Sequence, residues 1–492
     1  KFFDREFDFS RGTTATFVGR NGLIQESVLT GTELVTNGDF ATDSDWTLGT
    51  GWSISNGAAS CDGTQTSNSQ LRSAFFDFSV DTTVMLSFDV INYSAGALDA
   101  GVTGTGQADL TGINANGTYS VTVVSSAGSR QVDIVAKSDF IGSIDNVSVK
   151  EIQTDVPRID FTDDPTGHLL LEPQSTNLIP YSNDFSQSIW NKFRVSIVPN
   201  TAISPNGTID ADSFIEDSTN NTHVLRETLA AAADSYTFSV FVKSLSGNRK
   251  LILNISNGYA LFNIENGIVE STFNISNANI TNYGNGWFKC SVTKLLSAGS
   301  NVNLDLRLNN GSTDNYLGDG SSGFFIWGAQ VEQNSYPTSY IPTSGSAVTR
   351  NQELCNNSGT VNDFNSEEGV LYAEIAALAN DGTNRIISLS DGSTSNVVRF
   401  YYSPADNQIV GNIRSGGTTL FNFNNVLSSA TDFLKVAISY KLNEFKMYVN
   451  GTLVSTDTSG NTPVGLSQLS FNNGASSFKF YGKTKNLKVF KR

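Results

Sequence analysis

The sequence predicts an all-β protein built of tandem β-sandwiches of the jelly-roll kind, and three observations predict it. Apolar and polar residues alternate at period two in one segment after another, as strands with one buried and one wet face do. Gly, Asn, Ser and Thr recur between those segments, where tight turns need the backbone angles that Gly and Asn supply. No long stretch carries the 3.6-residue periodicity of an amphipathic helix. The chain has 492 residues and 32 Phe, ample for several cores. At roughly 100–200 residues per domain, three or four domains are expected.

The strands read in order. Val84, Leu86, Phe88 and Val90 fall on one face, as do Tyr236, Phe238, Val240 and Val242. Asn266-Gly267, between Phe262/Ile264 and Val269, marks a tight hairpin. Val302, Leu304, Leu306 and Leu308 share another face. A further unit opens at Val370-Leu371-Tyr372-Ala373-Glu374-Ile375. In it Leu434, Val436, Ile438 and Tyr440 alternate, and Phe445, Met447 and Val449 alternate back. Asn450-Gly451 turns the chain, and Phe478–Gly482 and Leu487–Phe490 close it. Such a meander predicts a jelly roll.

A repeat organises the part before that unit. Asn37-Gly38-Asp39-Phe40 is followed by Trp46, and Asn183-Asp184-Phe185 by Trp190. Their closing segments, Ile144–Glu151 and Ile326–Glu332, each place Ile five residues before Val with an acidic residue after it. Two copies of one sandwich type explain this most simply.

The net charge of −16 repels phosphate backbones and anionic lipid, so neither nucleic-acid nor membrane partners are expected. No run of 18 apolar residues is present. The acidity reads as a soluble surface, with calcium recruitment by acidic loops as the other reading. Cys61, Cys290 and Cys355 are odd in number and fit no zinc spacing. Without a disulfide framework, the chain fits folding in a bacterial cytoplasm and later release by lysis. The opening Lys1-Phe2-Phe3-Asp4 shows no signal-peptide pattern.

Several motifs together carry a resemblance. They are Phe7-Asp8-Phe9-Ser10-Arg11-Gly12-Thr13-Thr14-Ala15-Thr16 with Asn21-Gly22-Leu23-Ile24, then Pro157-Arg158-Ile159-Asp160-Phe161, and Leu169-Leu170-Leu171-Glu172-Pro173-Gln174-Ser175-Thr176-Asn177. Gly328-Ala329-Gln330-Val331-Glu332 and Pro337-Thr338-Ser339-Tyr340-Ile341-Pro342-Thr343 complete them. They resemble a family of bacteriophage tail and fibre structural proteins. The repeated modules resemble galactose-binding-like, carbohydrate-binding sandwiches. The last unit resembles concanavalin-A-like, laminin-G-type domains through Tyr448-Val449-Asn450-Gly451 and Leu487-Lys488-Val489-Phe490.

The organisation expected is an N-terminal scaffold arm over 1–31, an inserted galactose-binding-like sandwich over 32–152, and a second sandwich with its scaffold lead-in over 153–345. A linker over 346–365, marked by Gly345, Ser346 and Asn356-Asn357-Ser358-Gly359, then leads to the jelly roll over 366–492. The insertion explains why the scaffold motifs are interrupted.

Sugar stacking needs exposed aromatics, which makes Trp46, Tyr93, Trp190, Tyr401 and Tyr402 the carbohydrate-binding candidates. For Trp46 and Trp190 the competing reading is a plug closing a sandwich end, and Trp287 and Trp327 read as core. The resemblance also implies a structural calcium at Asp39 and Asp145; an Asx turn at each is the alternative. Only His168, in the Leu-rich stretch, and His223, read as a loop residue, are available for imidazole chemistry, so no enzyme is expected. The expectation is a lectin-like structural protein of the virion, outside the cell, adhering to host surface glycans or aiding assembly. Its further partners would be other virion proteins and copies of itself, a trimer being the form fibres favour. A polysaccharide-degrading depolymerase and a bacterial cell-surface adhesin are the alternatives.

Overall fold

The structure, a computed structural model, describes residues 7–103, 108–153, 155–162, 164–297 and 300–491. It is all-β: every regular element among these residues is a strand. The chain forms two compact units, one of residues 28–154 and one of 1–27 with 155–492.

In the smaller unit a six-stranded sheet faces a five-stranded one. The long strand Thr82–Ala95 buries Val84, Leu86, Phe88 and Val90 against Leu71, Leu98 and Ile134 of the opposite sheet. Each such side chain withdrawn from water is worth roughly 1.5–3 kcal/mol. The unit begins and ends side by side, because Leu29 and Gln153 are cross-strand partners. Gly38 is required where it stands: a Cβ there would lie 1.9 Å from the Val147 carbonyl oxygen. That close approach lets Gly38 O accept from Val147 N at 2.8 Å and ties the opening motif to the closing strand.

Since the ends meet, removing residues 32–152 and joining the flanks with a short Gly-Ser linker should leave the remainder folded. A urea titration checks this. The deletion variant is expected to keep one cooperative transition with the midpoint of the larger unit, and aggregation would refute the insertion.

The larger unit holds two sandwiches. In the first, two six-stranded sheets enclose Phe214, Phe238, Leu253, Leu306 and Ile326. The Asn266-Gly267 turn joins Gly258–Asn263 to its antiparallel partner Ile268–Phe273, with Gly267 at φ +64°. The second packs a seven-stranded sheet on a five-stranded one around Leu371, Val398, Phe400, Val436 and Met447.

Two expected boundaries need correction. Arg158–Asp160 and His168–Leu171, expected to lead into the sandwich that follows, instead extend the seven-stranded sheet, with His168–Leu171 on the C-terminal strand Gly482–Lys491. Residues 346–365 are not a loose linker. Val348–Arg350 pairs with Ser175–Asn177, and Leu354–Asn356 pairs with the N-terminal Asp8–Ser10. The cause is a buried ion cluster fed by both segments. Glu353 accepts from Arg11 Nη1 at 2.9 Å and Arg158 Nε at 2.8 Å, and Glu172 pairs with Arg158 and Arg350. Burial pushes the Glu172 carboxyl up, but Arg350 and Arg158 outweigh it and hold it down at about 2. Four of the scaffold motifs thus meet at one point, that of Ser339 included, whose hydroxyl donates to Glu172 Oε2 at 2.6 Å.

Candidate functional site

The outer face of one sheet in the first sandwich of the larger unit gathers the site. Its strand order is Asn191–Phe193, Val224–Ala231, Ser300–Asn309, Lys250–Ile255, Gly258–Asn263, Ile268–Phe273. Alternation decides which side chains emerge. Leu225, Leu306, Leu253 and Ala260 go into the core, so their neighbours Arg226, Asp305, Asn254 and Tyr259 point out. Register then lines these up across the strands as Asn191, Arg226, Asp305, Asn254, Tyr259 and Phe273. With strands about 4.8 Å apart, five gaps make a strip about 24 Å long.

The centre of the strip is polar and tightly built. Asp305 is fully buried beneath two guanidiniums. Arg226 grips it through Nε at 2.6 Å and Nη2 at 2.9 Å, and Arg307 through Nε at 3.0 Å and Nη2 at 2.6 Å. Such forked, charge-assisted bonds fix the guanidinium planes. Beside them Asn254 is only 4% exposed, and its Oδ1 has no hydrogen-bond partner among the described residues. A buried acceptor left unmet costs about 1–3 kcal/mol, so a donor brought by a ligand would be well received. Both ends of the strip are aromatic. Tyr259 stacks on Phe273 at 5.6 Å, Phe273 is 57% exposed, and Arg226 lies over the half-exposed Phe193 ring at 5.6 Å. Rings that offer a face beside directed polar groups suit a ligand with one apolar face and several hydroxyls.

The residues singled out from sequence lie elsewhere. Trp190 is corrected: it is fully buried, so no sugar can reach its faces. It packs on Phe185 at 4.9 Å and 45°, and its indole N–H donates to the Tyr181 carbonyl at 3.2 Å. Trp46 repeats that arrangement on Phe40, at 4.9 Å and 45°, and donates to the Asn37 carbonyl at 2.9 Å. The repeated motif is therefore a structural plug, half-buried in one copy and buried in the other. Tyr402 is corrected too, being a core residue whose hydroxyl donates to Ile375 O at 3.2 Å. Tyr401, its neighbour, emerges half-buried on the opposite face, and Tyr93 is half-buried with its hydroxyl on Gly96 O at 3.0 Å.

Asp39 accepts from Ala41 N at 3.3 Å and Asp145 from Asn146 N at 2.7 Å. Among the described residues no group of three or more His, Cys, Asp or Glu is placed to hold a metal ion. His223, expected in a loop, is fully buried and faces the Arg194 carbonyl through Nδ1 at 2.9 Å; His168 is also buried. The three cysteines are buried and free.

A cleft of about 1010 Å³ is lined from both sandwiches of the larger unit. Its buried charges are engaged by the protein itself. Glu172 belongs to the ion cluster, Asp381 pairs with Arg385 at 2.9 Å, and Lys289 donates to Thr338 O at 2.7 Å.

Asp212, 1% exposed, accepts from Phe185 N and Asn200 N, both at 3.0 Å. Burial, with some help from Asp184 and Asp210, pushes its carboxyl up to about 6. A raised carboxyl binds its proton more tightly folded than unfolded. Its penalty is therefore absent at low pH, grows as pH rises from about 4, and is complete above about 6. Asp212→Asn should remove a fall in stability of about 2–3 kcal/mol across that window, read as the difference between wild-type and variant melts at pH 4 and pH 7. Identical pH profiles would refute it.

No family model matches the sequence, and no curated protein matches it. Among solved structures, the N-terminal tandem CBM22 domains of Paenibacillus barcinonensis Xyn10C align at 12% identity with a TM-score of 0.24, covering 62% of this chain and 98% of that one. Mouse laminin α1 domains LG4-5 align at 13% identity and TM-score 0.20, covering 55% and 86%. Sheep galectin-11, in complex with glycerol, aligns at 11% identity and TM-score 0.20, covering 26% and 92%. At these identities and TM-scores the likenesses decide nothing about function.

Proposed function

We propose that this chain is a non-catalytic glycan-binding protein whose primary site is the strip from Phe193 to Phe273. The observation that carries it is the buried, unmet Asn254 Oδ1 set between a doubly clamped carboxylate and a stacked aromatic pair. A saccharide hydroxyl would donate to that oxygen while a sugar ring lies on Tyr259. The strip runs across six strands, which suits a chain rather than a single residue. Turnover is not part of the proposal, because Asp305, the buried acid of the strip, is locked between two arginines and lacks the freedom of a general acid or base.

The finer reading is that of a bacteriophage virion component, a tail fibre, spike or decoration protein, adhering to host surface glycans from outside the cell. Its support is the set of scaffold motifs from Phe7 to Thr343. The proposal includes a homo-oligomer and contacts with other virion proteins. Virion preparations probed by mass spectrometry test this part, and absence of the chain from purified particles would sink it.

Glycan binding is tested by calorimetry with neutral oligosaccharides from host envelopes. Tyr259→Ala should weaken binding about 10-fold or more, by analogy with aromatic stacking worth about 1–3 kcal/mol on nucleic-acid bases. Trp46→Phe should leave affinity unchanged. Equal affinity of Tyr259→Ala and wild type would refute the assignment.

A further inference from the structure

The C-terminal sandwich carries a second polar face of different charge. In its five-stranded sheet Ile387, Leu389, Val398, Phe400 and Ile413 go into the core, so Ser388, Arg399, Tyr401, Asn412 and Arg414 point out. Register sets Ser388, Arg399, Asn412 and Asn422 in one row across four strands. Arg414 is the diagonal neighbour of Arg399 on the same face, roughly 7–8 Å away.

Neither cation has an acidic partner among the described residues. Arg399 gives only Nε to the protein, donating to Asn412 Oδ1 at 3.0 Å, and its plane lies over the Tyr401 ring at 5.8 Å. The Asn412 amide is itself held, donating to Phe421 O at 3.3 Å and Asn422 Oδ1 at 3.1 Å. Arg414 donates to two backbone carbonyls, Thr394 O at 3.0 Å and Gly417 O at 2.5 Å, and its buried Nε has no partner. Elsewhere in the larger unit Arg158, Arg226, Arg249 and Arg307 each meet a carboxylate. Burial pulls the Arg399 guanidinium below its ordinary range, Tyr401 opposes that and Arg414 adds to it, and no carboxylate contributes to the balance. Next to Arg399, Ser388 is fully buried and its Oγ has no hydrogen-bond partner.

Two adjacent, half-buried, uncompensated guanidiniums are costly in a chain of net charge −16, where acidic residues were freely available to pair them. Arg399 keeps both Nη groups for a ligand, in the fork that fits an oxyanion. Exposed Asn422 and Asn424 lie on the same face two strands from Arg399, beyond Asn412, and offer amides to hydroxyls. We propose that this face binds an anionic saccharide, its carboxylate or sulfate ester held by Arg399 with Arg414 adding charge, its ring beside Tyr401 and its hydroxyls at Ser388 and Asn422. The site is separate from the strip on the preceding sandwich and takes the opposite class of sugar.

The test titrates the full chain by calorimetry with an oligogalacturonate, a dextran sulfate oligosaccharide, a neutral dextran oligosaccharide of equal length, and inorganic sulfate. At least one anionic saccharide is expected to bind, at least 10-fold tighter than neutral dextran and more weakly as salt rises. Arg399→Gln should weaken it 10-fold or more, while Tyr259→Ala leaves it unchanged. Arg399→Lys, which keeps the charge but loses the fork, should fall between, and serves if the glutamine variant melts early. Equal affinity of wild type and either Arg399 variant overturns the proposal, as does inorganic sulfate binding as tightly as the saccharides. Neutral-glycan binding lost only in Tyr259→Ala belongs to the strip, so the two assignments fail separately.

Discussion

Glu353→Ala is expected to destabilise the larger unit by about 3–5 kcal/mol, the usual cost of breaking a buried ion pair by removing one partner. Glu353 is 1% exposed and accepts from Arg11, from two nitrogens of Arg158, and from Glu172 N at 2.8 Å. Its removal leaves three guanidiniums, those of Arg11, Arg158 and Arg350, around the single carboxylate of Glu172. The excess positive charge sits in a site that water cannot reach, so neither screening nor relaxation offsets it. The cluster holds together the N-terminal arm, the segments around Arg158 and Glu172, and the stretch from Ser339 to Glu353. Unfolding should therefore remain cooperative over the whole larger unit while the transition of residues 28–154 stays where it was. Two-transition calorimetry reads both at once. A drop below about 1 kcal/mol, the range of an exposed pair, would show that the cluster contributes little. Acid acts on the same device through Glu172. A carboxyl held down at about 2 contributes stability that is complete above its unfolded value near 4.3 and is lost as pH falls toward 2.

The sequence made the strands legible because burial here is one-sided and the period of two is strict. Val84 to Val90 and Leu434 to Tyr440 all point into cores as the alternation requires. Turn chemistry was equally local: Asn450 and Gly451 both adopt positive φ, 50° and 82°. What depended on distant partners was not legible. Gly345, Ser346 and Asn356-Asn357-Ser358-Gly359 gave 346–365 the composition of a linker, yet Arg350 and Glu353 inside it find partners up to 342 residues away. Trp190 carried two readings from sequence, and only the Phe185 ring and the Tyr181 carbonyl decide between them. In Tyr401-Tyr402 one ring had to point outward, and register assigns that role to Tyr401. The strip was missed because its members come from six strands that share no motif. Asn254 and Asp305 are unremarkable polar residues until antiparallel pairing sets them opposite each other. The one available signal was polar residues in otherwise apolar strands, as at Asn254 in Leu251-Ile252-Leu253-Asn254-Ile255.

Presenting the chain in three linked copies is expected to raise its apparent affinity for a glycan-coated surface by about 10²–10⁴ over a single copy. The strip and the Arg399 face both lie on sheet faces whose exposed residues sit toward their edges, Phe273 on one and Asn422 and Asn424 on the other, so a bound sugar keeps part of its own contact with water. Only surplus beyond the cost of ordering the ligand appears as affinity, so each site alone should bind weakly. Weak sites become useful when the second and third engagements are intramolecular, and repeated surface polysaccharides supply ligands at close spacing. The gain needs no new contact and vanishes if geometry forbids simultaneous engagement. The measurement compares the chain fused to a trimeric coiled coil with the same chain fused to a monomeric tag, on sensor surfaces of high and low glycan density. On the dense surface the trimer should dissociate far more slowly, and on the sparse surface the two should converge. Tyr259→Ala in all three copies should abolish the difference on a neutral glycan, because avidity multiplies a site's affinity and cannot replace it. A single copy that already binds with nanomolar affinity would contradict weak binding at each site. A trimer no better than the monomer on the dense surface would contradict the adhesive role.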